Sequence, residues 1–406
     1  MGRDSSFWLS PVFLLPVTPP GNFSSKDSNI PQILTKFAET SNLAFMINFE
    51  CDYTEGAHAS ILQRLAETNM EQTPGYGKDR HCENARQIIR RVCNAPDADV
   101  HFLVGGTQTN KTVIASILRP YQGVICVETG HIAVHETGAI ESTGHKVITV
   151  PGINGKITPQ LIEQVYRRHF DDKGLEHCVQ PGMVYISQST EVGTVYHLNE
   201  LEAISAMCRK LELPLFLDGA RLGYGLAASD NDTSLADIAR LCDVFYIGGT
   251  KIGALFGEAV VITNPSITPG FRYMIKQNGG LLAKGRLLGI QFEALFENDL
   301  YMQLSRHAVE QAMRIRCALE AKGVALAYAS TTNQQFPILP DSVIEHLSDR
   351  YIFSTTEHLT PGMTEVRICT SWATLSENVD RLIDDLDKAF DCRSPRECKR
   401  GCRPRR

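Results

Sequence analysis

The sequence predicts an α/β fold with a mainly parallel central sheet, helices on both faces, and a smaller α/β domain at the C-terminal end. Three observations predict it. Short apolar runs of four to six residues recur without polar alternation, as in strands buried on both faces. Each run stops at a polar or glycine-rich word. Helix-like segments separate most of the runs, the alternation expected of strands joined by crossover helices.

In chain order the runs are Val100–Val104, Gly123–Val127, Met183–Ser187, Leu213–Leu217 and Asp243–Ile247, with Glu258–Thr263 close behind. The words at their ends are GGTQTN, ETGH, QSTEVG, DGARLG and GGTK. Helices are predicted over Thr107–Leu118 and Leu198–Lys210, where Leu, Glu and Ala dominate the second. From Asn298 the texture changes. A long amphipathic helix is expected over Leu300–Lys322, strand-like pieces over Phe336–Pro340 and Glu365–Ala373, and a closing helix over Ser376–Phe390. The expected organisation is a large domain over residues 46–297 and a small one over 298–390. An extension, 1–45, and a basic tail, 391–406, flank them.

At 406 residues the chain exceeds the ~100–200 residues of a usual single domain. Its 43% hydrophobic and 21% charged residues describe a globular protein with ample core. A net charge of -6 argues against a chain built to neutralise nucleic acid phosphates. No apolar stretch reaches the ~18 residues of a membrane-spanning helix. The extension holds a proline-broken apolar run, Phe7–Pro20, and Gly2 in a loose acylation pattern. It lacks a clear cleavage site and a second membrane signal, and an unstructured extension is expected. The cysteines of the body form no CxxC pair; buried free thiols in a reducing, cytoplasmic setting are the expectation. The tail's Cys392, Cys398 and Cys402 lack a fourth ligand, so no metal site is expected.

In an open α/β sheet, function gathers at the carboxyl ends of the strands. Lys251 stands there, in GGTKIGALFG. Burial lowers an amine's pKa, which suits attack on a carbonyl carbon; a surface lysine in a loop is the plain alternative. Asp218 ends an apolar run and needs a cation: either Arg221 in a structural ion pair or a protonated pyridine nitrogen. Gly105, Gly106 and Thr107 open a helix, where free amides attract an anion, although Thr107 also reads as a simple cap. His131 follows a strand and its ring could stack on a cofactor. Arg367 lies on a buried-looking strand, and its fork suits a carboxylate.

In this order, the words YGKD (Tyr76–Asp79), GGTQTN, GHIAVHETGA (Gly130–Ala139), DGARLG, GGTKIGALFGE, KGRLLG (Lys284–Gly289) and VRICTSWAT (Val366–Thr374) make a chain that resembles the threonine aldolase and aromatic β-eliminating lyase group of fold-type I pyridoxal 5′-phosphate enzymes. The resemblance runs from about Phe49 to Ala389. It implies that Lys251 carries the cofactor as a Schiff base, Asp218 meets the pyridine nitrogen, and Arg221 lies near the phenolic oxygen. It implies that His131 stacks on the ring, that Gly106 and Thr107 bind phosphate with Arg286 as a further phosphate ligand, and that Arg367 holds the substrate carboxylate. Tyr76 would border the site, from a neighbouring subunit of a homodimer or homotetramer.

Two departures stand out. Glu191, in SQSTEVG, occupies the place of the histidine that family members use on the substrate hydroxyl, and Cys51-Asp52 stands where Ser-Asp is common. The implied reaction is retro-aldol cleavage of a β-hydroxy-α-amino acid to glycine and an aldehyde. Glu191, His135 and a water held by His131 are the candidate bases. β-Elimination to ammonia and a 2-oxo acid is the rival within the same cofactor class, and an inactive oligomeric scaffold the rival outside it. The bulk of Ile252, beside the lysine, has no explanation in the sequence.

Overall fold

The computed structural model describes residues 46–391. The expectations for the extension and for the tail beyond Asp391 lie outside the described residues. The strands are β1 (Ile47–Asn48), β2 (Asp99–Leu103), β3 (Gln122–Val127), β4 (Lys146–Val150), β5 (Gln180–Ser187), β6 (Leu215–Asp218), β7 (Val244–Gly248), β8 (Glu258–Ile262), β9 (Gln334–Gln335), β10 (Ile338–Pro340), β11 (Tyr351–Ile352), β12 (Ser354–Thr360) and β13 (Met363–Cys369). A seven-stranded sheet runs in the order β2-β8-β7-β6-β5-β3-β4. Only β8 is antiparallel to its neighbours; the other pairs are parallel. The mainly parallel sheet expected from the apolar runs is present.

Alternate side chains of these strands enter two separate cores, because strand side chains point to opposite faces in turn. Val184, Ile186, Leu215, Leu217, Phe245 and Ile247 join one core. Helices Arg80–Val92 and Arg286–Phe296 cover it through Cys82, Ile89, Leu288 and Phe292. Tyr185, Phe216 and Tyr246 join the other, with Val113 and Ile114 of helix Gly106–Ile117 and Phe271 of helix Phe271–Gln277. Both faces are thus buried, and full burial of each such side chain is worth about 2 kcal/mol.

The C-terminal strands form a second, antiparallel sheet. Its order is β10-β13-β12, with β9 also on β13. A third core, including Ile315, Leu319, Leu339, Ile368, Val379, Leu382 and Leu386, lies between it and helices Leu300–Ala321 and Ser376–Asp391. The first described residues are stitched to this sheet: β1 pairs with β11, and Cys369 N donates to Phe49 O at 2.8 Å.

Five strands escape the sequence reading: β1, β9 and β11 are only two residues long, and β4 and β12 lack a clear pattern of their own. β4 is a partly exposed edge strand, and β12 reads STTEHLT with almost every residue exposed, so neither carries a buried apolar run. Of the expected piece Phe336–Pro340 only Ile338–Pro340 is strand, with the short β9 just before it, and Glu365–Ala373 is a strand only as far as Cys369. The described cysteines are free thiols, most of them buried. No described helix is long and apolar enough to cross a membrane.

Candidate active site

The parallel strands β2, β3, β5, β6 and β7 end at one edge of the sheet, and antiparallel β8 begins there. Topology alone therefore collects Gly106, His131, Glu191, Asp218, Lys251 and Glu258 along that edge.

Asp218 is 4% exposed. Its Oδ2 accepts from Tyr185 Oη (2.6 Å) and Asn110 Nδ2 (2.9 Å); its Oδ1 accepts from Tyr246 Oη (2.5 Å) and Ala220 N (3.0 Å). Burial would raise its carboxyl, but the neighbouring His131 and the two tyrosine hydroxyls outweigh burial and hold it below the usual range. This corrects one alternative of the sequence reading, the Asp218–Arg221 ion pair. Arg221 instead grips Asp52 in a fork, Nε to Oδ2 at 2.7 Å and Nη2 to Oδ1 at 3.0 Å. Asp218 is then a buried anion whose hydrogen-bond donors are all neutral groups, which leaves a cation to be supplied.

Lys251 lies in a turn after β7. Tyr224 Oη holds its carbonyl at 2.5 Å, and its Nζ lies 5.9 Å from the centre of the Tyr53 ring. Burial and the Arg221 guanidinium push the amine below its usual pKa, against the pull of Asp52, Asp218 and Glu258. It forms no salt bridge among the described residues. Ile252 now has its reason: it is wholly buried and fills the space over Gly223, where an added Cβ would come within 2.6 Å of its Cδ1.

His131 follows β3. Its Nδ1 donates to Glu136 Oε1 at 2.8 Å, and Asn110 Nδ2 donates to the same oxygen at 2.7 Å. One chain of bonds thus joins His131 to Asp218. Glu191 Oε1 accepts from His131 N (2.9 Å) and Ser187 Oγ (2.6 Å). Burial, and then the charge of Asp218, push the Glu191 carboxyl up despite the Ser187 hydroxyl. His135 is more exposed; burial, then the positive charges of His131, Arg367, Arg221 and Lys251, push its imidazole down.

Helix Gly106–Ile117 starts at Gly105 with no side-chain cap, so its first amides are open to an anion. An added Cβ at Gly106 would stand 3.1 Å from Tyr246 Oη. Thr107 is exposed at this helix start. Arg367, on β13, donates through Nη2 to Glu50 O at 3.0 Å, while its Nε is buried without a partner.

Two expected residues lie apart. Arg286 donates to Thr68 O (2.5 Å) and Asn69 O (3.1 Å) and makes no hydrogen bond to the Gly105–Thr107 turn. In its own chain it is a clamp on the end of helix Ala59–Glu67. Tyr76 exposes its ring, with Lys276 Nζ 4.9 Å from the ring centre, and Arg272 Nη2 donates to its carbonyl at 3.1 Å.

Asp52, Asn110, Glu136, Tyr185, Tyr246 and Glu258 were missed as site residues. The tyrosines sit inside apolar runs and read as core. Glu258 opens a strand, whereas attention to strand ends finds only the last residues.

The residues present fit pyridoxal 5′-phosphate. A buried anion makes no salt bridge among the described residues, an amine is pushed below its usual pKa, a helix start is open to phosphate, and buried polar atoms of Asn110, Glu136, Ser189, Glu191 and Arg367 lack partners.

The sequence profile of the Beta-eliminating lyase family matches residues 48–390. The chain is 32% identical over 346 residues to the low specificity L-threonine aldolase of Pseudomonas aeruginosa, covering 83% of this chain and 96% of that one. It is 27% identical to the low specificity L-threonine aldolase of Saccharomyces cerevisiae over 67% of this chain and 70% of that one. Among solved structures, Leishmania major threonine aldolase superposes with a TM-score of 0.83 at 47% identity, over 85% of this chain and 99% of that one. An aspartate aminotransferase of Thermus thermophilus, at TM-score 0.63 and 12% identity over 88% of this chain and 94% of that one, shares the fold alone.

Proposed function

The chain belongs to the Beta-eliminating lyase family, and from that premise we propose that it is a pyridoxal 5′-phosphate-dependent aldehyde-lyase. It splits a β-hydroxy-α-amino acid of the threonine kind into glycine and an aldehyde. The observation that carries this reading is the pairing, at one sheet edge, of an amine held toward neutrality (Lys251) and a buried anion without a cation (Asp218).

When bound, the cofactor supplies an electron sink for the pair released as Cα–Cβ breaks. Lys251 Nζ would hold it, its amine being pushed below the usual pKa. Asp218 would bind the pyridine nitrogen and favour its protonated form. The amides at the start of helix Gly106–Ile117, with Thr107, would take the phosphate. His131, its ring held by Glu136, would pack against the cofactor. Arg367 offers its unpartnered Nε to the substrate carboxylate, while Glu50 O fixes its other arm. The base that takes the β-hydroxyl proton is His135, whose imidazole is pushed toward its neutral, proton-accepting form, whereas Glu191 is engaged by the His131 backbone and the Ser187 hydroxyl. Glu191 anchors the His131 backbone. Arg221, locked onto Asp52, presents its remaining edge toward the site. Tyr76 and Arg286 serve a second copy of the chain in a homo-oligomer, where the exposed Tyr76 ring finds cover.

A second reading, β-elimination, is favoured by one observation: Glu191 stands where a histidine is used on the substrate hydroxyl. Purified protein given threonine, allo-threonine and phenylserine is expected to release glycine, and to release little ammonia from cysteine or tyrosine. Ammonia without glycine would reverse the assignment.

A further inference from the structure

Glu258 is a buried carboxyl that no step above uses. It opens β8, so its side chain emerges where the neighbouring parallel strands end, and it is 3% exposed. Its Oε1 accepts from Thr250 Oγ1 at 2.8 Å and its Oε2 from Gly249 N at 3.2 Å. Thr250 Oγ1 in turn accepts from Gly257 N at 3.0 Å. The carboxyl is therefore tied to the two residues that immediately precede Lys251. An amide or a hydroxyl could accept bonds there with a smaller desolvation cost, so the acid at this place calls for an electrostatic reason.

We propose that Glu258 is a positioning residue for Lys251: it fixes the turn that carries the lysine and supplies a buried carboxyl that acts on the lysine amine once it ionises. The inference rests on the reading of Lys251 as the cofactor lysine. The charged groups acting on Lys251 are Arg221, Asp52, Asp218 and Glu258. Burial, and more weakly the charge of Asp218, push the Glu258 carboxyl up to about 8 against the Thr250 hydroxyl and the Lys251 charge, so it becomes an anion as the pH rises through that value; the buried hydroxyls of Tyr246 and Tyr301 lie within its field. Arg221 favours loss of the lysine proton, and the carboxylates favour its retention. Glu258 is the one of the three carboxyls that is also bonded to the lysine's own turn.

The test is a pH titration of the visible absorbance of full-length protein loaded with pyridoxal 5′-phosphate. Where Glu258 is ionised, above about 8, the Glu258→Gln change removes a negative charge that stabilises the protonated nitrogen of Lys251, so the alkaline titration midpoint moves to lower pH, by about one unit. Glu258→Asp, which restores the charge, moves it back toward the parent value. Thr250→Val leaves the acid in place but removes the hydroxyl that stabilises its anion, and shifts the midpoint the same way by less. A role limited to packing lowers the melting temperature and leaves the midpoint where it was. An unchanged midpoint in Glu258→Gln overturns the proposal; should that variant not fold, an unchanged midpoint in Thr250→Val does so. A visible band that survives Lys251→Ala removes the lysine reading itself, and this inference with it.

Discussion

Asp218 and Glu191 are buried carboxyls at the ends of neighbouring strands, yet their surroundings push them in opposite directions. Asp218 has four hydrogen-bond donors and is held as an anion. Glu191 has a buried Oε2 with no partner and feels the negative charge of Asp218, which raises it further. On the proposed reading the environment divides the roles: Asp218 would face the ring nitrogen, and Glu191, bonded to His131 N, anchors that backbone. His135, pushed below its ordinary value of 6.5, stays neutral and able to accept a proton until the pH falls past that lowered value. The acid limb of the kcat/KM profile is therefore expected below 6.5. His135→Asn is expected to lower kcat by about a hundredfold or more and to abolish that limb, while Glu191→Gln keeps both. A profile governed by Glu191 and indifferent to His135 would reverse the assignment. Lys251 and Asp218 are legible in the sequence because each follows an apolar run. Tyr185, Tyr246 and Asn110 are not, because their function is to bond Asp218, and that contact exists only once three strands and a helix are assembled.

Asp52 joins segments far apart in the chain. It accepts from Arg221 after β6 and from Asn333, next to β9, at 3.0 Å. The sequence shows Cys51-Asp52 as a variant word but not its partner, which is 169 residues away. Burial would raise this carboxyl; Arg221 and Lys251 overcome that and lower it to about 2 from an ordinary 3.8. The sign follows: the stabilisation is fully present above 3.8 and is lost as pH falls toward about 2, an effect of about 2 kcal/mol. Asp52→Asn leaves Arg221 buried without a counter-charge and is expected to cost about 3–5 kcal/mol at neutral pH. Denaturant titrations of both proteins across this acid range check it. The parent loses stability there, and the variant lacks that component. Equal acid dependence would show that the pair does not stabilise the fold. The missed strands have the same origin as the missed partner. β4 and β12 are recognised by what pairs with them, not by a buried apolar face of their own.

Across the chain as a whole, the sheet order explains how residues scattered over about 260 positions, from Gly106 to Arg367, can serve the one reaction proposed. Parallel strands deliver their last residues to a common edge, the antiparallel β8 delivers its first, and β13 brings Arg367 against the backbone of Glu50. The strand-to-loop words made this edge readable in advance. The proposed division into cofactor lysine, ring-nitrogen acid and carboxylate arginine rests on the kinds of residue found there. What the words could not give was the network beneath them, since hydrogen-bond partners depend on register. The most direct test is to load the protein with pyridoxal 5′-phosphate, reduce it with borohydride, digest it, and locate the added mass. The mass is expected on the peptide containing Lys251 and is expected to be absent from Lys251→Ala. Label on a different lysine, or none on the parent protein, would contradict the account.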